Sequence, residues 1–382
     1  MFFGRHLEKY IGFMRLTINL PITFILLFIT SYIFSQNVGR DSLQILKPTG
    51  QFSIGTVIYE WTDETRNLNL TNHPEDKRTI IAQIWYPAQV NANSKTAPYS
   101  ALSNDYRFVI SNSYSRPAFN SSVSSSGLIL ISPGRGTERY LYTTIIEELA
   151  SHGFVVVSID MPEIGYAIYK DGFIVKPSPK YQPPRGMMGG PYEKVDEFFE
   201  QPTRVGYQDL EFAYKKILAL NDADPNNRFT GKIDCGNVGI FGHSLGGRIA
   251  GDFASKNNIV KAYISMEGIP PRQVRYNGLL NIPVAMLCSS GTWPYAKENY
   301  SSLIDNRSNV VYMIELPDFG HNSVTDNPYI YPEYYKYTVD TVKGLEISRK
   351  IVLGYFNDLL REKASFINSL ADIQEIKYSV YD

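Results

Sequence analysis

Gly242-His243-Ser244-Leu245-Gly246 is where this chain concentrates its chemistry. The apolar run Asn237-Val238-Gly239-Ile240-Phe241 leads into it, and Gly247 and a helical pattern follow. Strand, G-x-S-x-G turn and helix, in that order, make a nucleophile elbow. The flanking glycines are needed because strand and helix backbones come close together there. The serine hydroxyl then stands clear of the backbone, where a histidine can reach it.

A serine nucleophile needs a base, and the chain has five histidines. His6 lies in an N-terminal targeting segment, and His73 lies in an early hairpin loop. His152, in Ser-His-Gly at a helix end, reads as a structural cap. His243 sits beside the serine, where neighbouring side chains diverge. His321 remains, in Leu316-Pro317-Asp318-Phe319-Gly320-His321-Asn322 after the last long strand. A chain order of serine, acid, histidine puts the base there.

The acid then belongs between them, at the carboxyl end of a strand. The turn Ser289-Ser290-Gly291-Thr292-Trp293-Pro294 carries no carboxylate until Glu298. The strand end Ile264-Ser265-Met266-Glu267-Gly268 does carry one. A glutamate at a buried strand end is costly without a partner. Glu267 is therefore the expected acid, with Asp318 second and Asp305 third. In this scheme Ser244 attacks, His321 moves the proton and Glu267 orients the imidazole. The oxyanion would meet the backbone N–H of Leu245 and that of Arg135, in the loop Ser132-Pro133-Gly134-Arg135-Gly136.

The elements that must hold these residues are near-continuous apolar runs alternating with helical patterns. Phe52–Trp61 and Thr79–Tyr86 read as an antiparallel pair. Leu128–Ile131, Phe154–Ile159, the elbow strand, Ile259–Met266, Val284–Cys288 and Val310–Leu316 read as buried strands. Helices are expected over about 138–150, 204–220, 245–256 and 345–364. The pattern predicts an α/β fold: a mostly parallel sheet with helices on both faces. Residues 88–126 read as an irregular excursion. Residues 160–202, rich in Pro, Gly and Tyr, read as a long insertion after the fourth strand, either a lid or a structured edge. The main domain is expected over 36–364, with 365–382 as a C-terminal tail.

The formal net charge is -1, with acids and bases interspersed, so nothing points to a nucleic-acid partner. The two cysteines are far apart and have no metal-ligand spacing. At the N-terminus Arg5, Lys9 and Arg15 precede an apolar run, Leu20 to Phe34, and Ser35-Gln36-Asn37 then turns polar. This reads as a signal peptide over 1–35, with an uncleaved anchor as the alternative, and predicts a secreted or periplasmic protein.

With these pieces assembled, the chain resembles the platelet-activating-factor acetylhydrolases, a branch of the α/β-hydrolases. The likeness runs over most of 79–364. It rests on Trp85-Tyr86-Pro87, the Ser132–Gly136 loop, Glu148-Leu149-Ala150-Ser151-His152-Gly153-Phe154-Val155-Val156 and the elbow through Gly247. The family's spacing also lands its acid on Glu267, where Asp is usual, and its histidine and following aspartate on His321 and Asp326. Pro133 and Arg135 stand where the family has His and Leu. The resemblance implies a serine carboxyl ester hydrolase, an esterase or lipase, with no cofactor and no metal. Its substrate would be a small-molecule or lipid ester, with transient contact to a lipid surface. A dienelactone-hydrolase-like or polyester hydrolase is the alternative within the fold. An inactive α/β-hydrolase used for binding is the alternative of another class.

Overall fold

The computed structural model describes residues 41–68, 76–100, 103–189, 192–363 and 365–382. The targeting segment read at 1–35, with His6, lies outside the described residues, as does His73. Two long strands, β1 (Ser53–Asn67) and β2 (Lys77–Gln89), pair antiparallel. β3 (Val109–Ser115) joins β1 in parallel. Next come β4 (Ser126–Ser132), β5 (Val155–Asp160) and β6 (Ile233–His243). β7 (Val260–Met266), β8 (Val284–Ser289) and β9 (Val311–Leu316) continue the parallel set. β10 (Lys377–Tyr381) closes the edge antiparallel to β9.

Across the sheet the order is β3-β1-β2-β5-β4-β6-β7-β8-β9-β10, with the short Leu43–Gln44 strand beyond β3. The chain steps from β4 to β5 in one direction and then crosses to β6 in the other. Such a reversal opens a crevice at the carboxyl ends of the strands. β6 ends there, one residue before Ser244.

The helices are α1 (Thr143–Ser151), α2 (Tyr192–Asp222) and α3 (Leu245–Lys256), then α4 (Trp293–Asp305), α5 (Thr341–Arg361) and α6 (Phe366–Ala371). Successive strand side chains point to opposite faces, so a strand covered on both sides needs an unbroken apolar run. In β4, Leu128 and Leu130 pack with Leu210, Ile217, Ile249 and Phe253 from α2 and α3. Ile129 and Ile131 pack on the other face with Ile145 and Leu149 of α1 and Ile351 and Phe356 of α5. This two-faced burial makes the sheet a rigid platform for the elbow.

Three segments differ from the sequence expectation. Residues 88–126 are not merely irregular, because β3 lies within them and extends the sheet. The helix expected over 204–220 begins at Tyr192 and runs through Pro202, so the last part of the expected insertion is helical. Pro202 has no N–H for the Phe198 carbonyl. Thr203 Oγ1 donates to the neighbouring Phe199 carbonyl at 2.5 Å, and Pro202 is itself buried, so packing holds the helix together across the proline. Finally, 365–382 is not a loose tail. Phe366 and Leu370 are fully buried in the core beneath α5, and β10 pairs with β9 over five residues.

Candidate active site

The elbow is a strained turn between β6 and α3. Ser244 has φ 56° and ψ −123°, a conformation that costs a residue with a Cβ about 1–3 kcal/mol. Its N–H donates to the Met266 carbonyl at 2.8 Å, tying the turn to the end of β7. A Cβ at Gly242 would lie 2.1 Å from the Gly246 carbonyl oxygen, and one at Gly246 would lie 2.0 Å from that of Ser132. Only glycine fits either position, so the G-x-S-x-G spacing is a steric requirement of this turn.

Glu267 sits one residue beyond β7, also at positive φ (58°). Its side chain is 1% exposed. Four donors surround the carboxylate. Ser289 gives its backbone N–H and, at 3.1 Å, its hydroxyl, while Thr292 Oγ1 donates at 2.5 Å. The fourth is His321, whose Nδ1 lies 3.3 Å from Oε2. The turn 289–294, which lacks its own carboxylate near the site, thus supplies hydroxyl and amide donors to the carboxylate on the adjacent strand. Asp318 takes up a left-handed turn (φ 67°) and accepts the Val339 N–H on its carbonyl at 3.0 Å. Asp305 ends α4. Of the three carboxylates weighed from the sequence, Glu267 is the one that meets the histidine. His321 stands on the loop after β9 with its side chain 46% exposed, so its ring reaches both the buried acid and the open site.

The sequence reading missed His243. Its ring turns away from the serine into the interior: it is 1% exposed and lies 4.9 Å from the His321 ring, centroid to centroid. Its Nε2 is 2.7 Å from the His321 carbonyl oxygen, and its Nδ1 is 3.0 Å from the Tyr142 hydroxyl. Burial, reinforced by the neighbouring His321, pulls the His243 pKa down to about 3. The sign of the resulting linkage is clear. Below about pH 6.5 the unfolded chain takes up a proton at this residue that the folded chain refuses until about pH 3. His243 therefore erodes stability as pH falls through that window, by on the order of 5 kcal/mol in total. His243→Gln is expected to remove this contribution. The buried Asp326 and Glu147, whose pKa values burial raises, remain in both proteins and cancel in the comparison. Denaturant melts of the two proteins at pH 7 and pH 4 would show it; equal losses in both would contradict it. His152 is structural as expected, 3.3 Å from Glu148 and hydrogen-bonded to Thr49.

Leu245 opens α3, so its N–H has no intrahelical acceptor. In the facing loop, Gly134 N–H donates to the Tyr142 hydroxyl at 3.0 Å and Gly136 N–H to the Ile164 carbonyl at 2.9 Å. Among the described residues no partner engages the Arg135 N–H between them. The loop runs directly over the serine, since a Cβ at Gly134 would lie 3.4 Å from Ser244 Cβ. Ser244, Leu245, Glu267, His321 and Arg135 all line one cavity of about 310 Å³. Pro183, Met188, Val195 and Phe199, from the expected insertion, form part of its wall. Arg248 lines it too and is held by Asp196 and, at 3.0 Å, by Thr203, both on α2. Among the described residues no hydrogen bond joins the Ser244 hydroxyl to the His321 ring, a contact of the kind that tightens around substrate. Among the described residues no group of three or more His, Cys, Asp or Glu is placed to hold a metal ion.

No protein-family model matches the chain, and no curated protein matches it. Among solved structures it is similar to a ferulic acid esterase from Streptomyces cinnamoneus. The TM-score is 0.71 at 21% identity, covering 88% of this chain and 99% of that one. Sheet order, elbow and this likeness together establish the α/β-hydrolase fold.

Proposed function

We propose that this protein is a serine carboxyl ester hydrolase. The observation that carries the reading is one cavity shared by a serine on a strained elbow and a histidine whose Nδ1 faces a buried carboxylate. Ser244 Oγ attacks the acyl carbonyl while His321 Nε2 takes its proton. The Leu245 and Arg135 N–H groups stabilise the oxyanion. His321 returns the proton to the leaving alcohol, an acyl-enzyme remains, and water repeats the sequence to release the acid. Glu267 holds the Nδ1–H of the imidazole and stabilises its charged form. That a structural neighbour is called a ferulic acid esterase supports ester chemistry on this scaffold.

The finer reading is an exported, platelet-activating-factor-acetylhydrolase-like enzyme. The basic and apolar segment at 1–35 supports export. Apolar side chains of the insertion on the cavity wall support an acyl pocket, with the insertion as its lid and transient contact to a lipid surface. Hydrolysis of p-nitrophenyl esters from acetate to palmitate tests both levels. Activity confined to short chains is the expected result. Activity rising with chain length would replace the acetylhydrolase-like reading with a lipase. No hydrolysis at any length by folded protein would overturn the hydrolase reading in favour of binding.

A further inference from the structure

We infer that His243 and Tyr142 form a positioning relay that ties the loop bearing the Arg135 amide to the loop bearing His321. Its value to catalysis rests on the hydrolase reading; its geometry does not. A carbonyl oxygen only accepts, so the His243 Nε2 that meets the His321 carbonyl at 2.7 Å must carry hydrogen. In the neutral ring Nδ1 is then an acceptor, and the Tyr142 hydroxyl donates to it across 3.0 Å. The Tyr142 oxygen in turn accepts the Gly134 N–H at 3.0 Å. The hydrogen bonds therefore run in one direction, from Gly134 through Tyr142 and His243 to His321. The whole relay is buried apart from its end at His321. Because burial keeps His243 neutral, this direction does not reverse in the pH range where an esterase works.

Both ends of the relay sit next to atoms the chemistry needs. Gly134 precedes the residue whose N–H faces the oxyanion. The His321 carbonyl belongs to the residue that moves the proton. The approach is close enough that a Cβ at Gly134 would stand 2.9 Å from His243 Nδ1. Ser244 follows His243 directly, so one residue sets the distances among nucleophile, base and oxyanion donor. A misplacement of 1 Å in such a site costs about a hundredfold in rate. The second position of G-x-S-x-G in this chain is thus a positioning residue.

The test uses Tyr142→Phe, His243→Asn and His243→Gln. Phenylalanine keeps the ring and removes only the hydroxyl. The glutamine amide nitrogen reaches where Nε2 sits, whereas asparagine is too short to reach the His321 carbonyl. Hydrogen exchange by mass spectrometry over 132–137 and 318–325 reports both loops, alongside kcat and KM on p-nitrophenyl acetate. The relay predicts that Tyr142→Phe and His243→Asn each speed exchange in both segments. It predicts kcat lower by about 10- to 100-fold with KM little changed, recovery of most of that loss in His243→Gln, and a double variant no worse than the poorer single one. Unchanged exchange at the segment remote from each substitution, or losses that multiply in the double variant, would overturn it. If the wild type cleaves no ester but both segments loosen together, the hydrolase reading fails and the relay stands. If esters are cleaved and the segments do not respond, the relay fails and the hydrolase stands.

Discussion

Ser244→Ala is expected to lower kcat on p-nitrophenyl acetate by about a millionfold while leaving the fold intact. The size follows from the route: without Oγ there is no acyl-enzyme, and only binding and the oxyanion donors remain to accelerate attack by water. The fold should tolerate the change, because what holds the elbow is backbone. The Ser244 N–H bond to Met266 and the Gly242–Gly246 approach need no hydroxyl. Alanine bears the same positive-φ strain as serine, so the melting curve should shift by no more than about 0.5 kcal/mol. His321→Ala should cost a similar factor, and combining the two should add almost nothing, since they act as one unit. Labelling by a fluorophosphonate probe gives a second readout: the wild type is modified at Ser244 and the alanine variant is not. A folded Ser244→Ala protein that kept more than a trace of turnover would remove Ser244 from the mechanism.

What could be read from the sequence follows the range of the forces involved. β4, β5 and β6 were legible because burial on two faces demands an unbroken apolar run, which is a local signal. The elbow was legible because its steric demand falls on glycines two residues either side of the serine. The burial of Glu267 opposite His321 was legible because a charge ending an apolar strand needs a buried partner. β3, α6 and β10 were not. β3 is polar and only alternately buried, α6 and β10 are short, and what stabilises all three is pairing with β1 and β9 or burial under α5, which are contacts far away in sequence. The early turns of α2 were not legible either, because a helix that runs through Pro202 is held there by packing. His243 was missed because its partners, Tyr142 and the His321 carbonyl, lie 101 and 78 residues away. Ser289 and Thr292 carried a weak signal: two hydroxyls in the turn next to a strand that ends in an acid.

Glu267→Gln isolates the acid without changing its size, and kcat is expected to fall by about ten thousandfold. The carboxylate accepts from Ser289 N–H, two hydroxyls and His321, so every neighbour is a donor. A glutamine amide offers one acceptor oxygen and one NH2 group. If the oxygen takes the place of Oε1 and accepts the Ser289 N–H, the NH2 takes the place of Oε2 and faces His321 Nδ1 together with the Ser289 and Thr292 hydroxyls. The imidazole then carries its hydrogen on Nε2, where it cannot accept the serine proton. If the oxygen turns to His321, the NH2 is driven against the buried Ser289 N–H, at about 1–3 kcal/mol for each group left unpaired. Both orientations also lose the charge that stabilises the imidazolium. Glu267→Asp keeps the charge but draws it back by one methylene from a ring already 3.3 Å away, so it should retain partial activity. Asp318→Asn is the decisive comparison, because Asp318 is the nearest carboxylate in sequence yet its turn is held through its backbone carbonyl. Its kcat should stay within about twofold of the wild type. If Asp318→Asn instead carried the large loss and Glu267→Gln the small one, the acid would be Asp318, and the hydroxyl-lined seat around Glu267 would be a matter of stability alone.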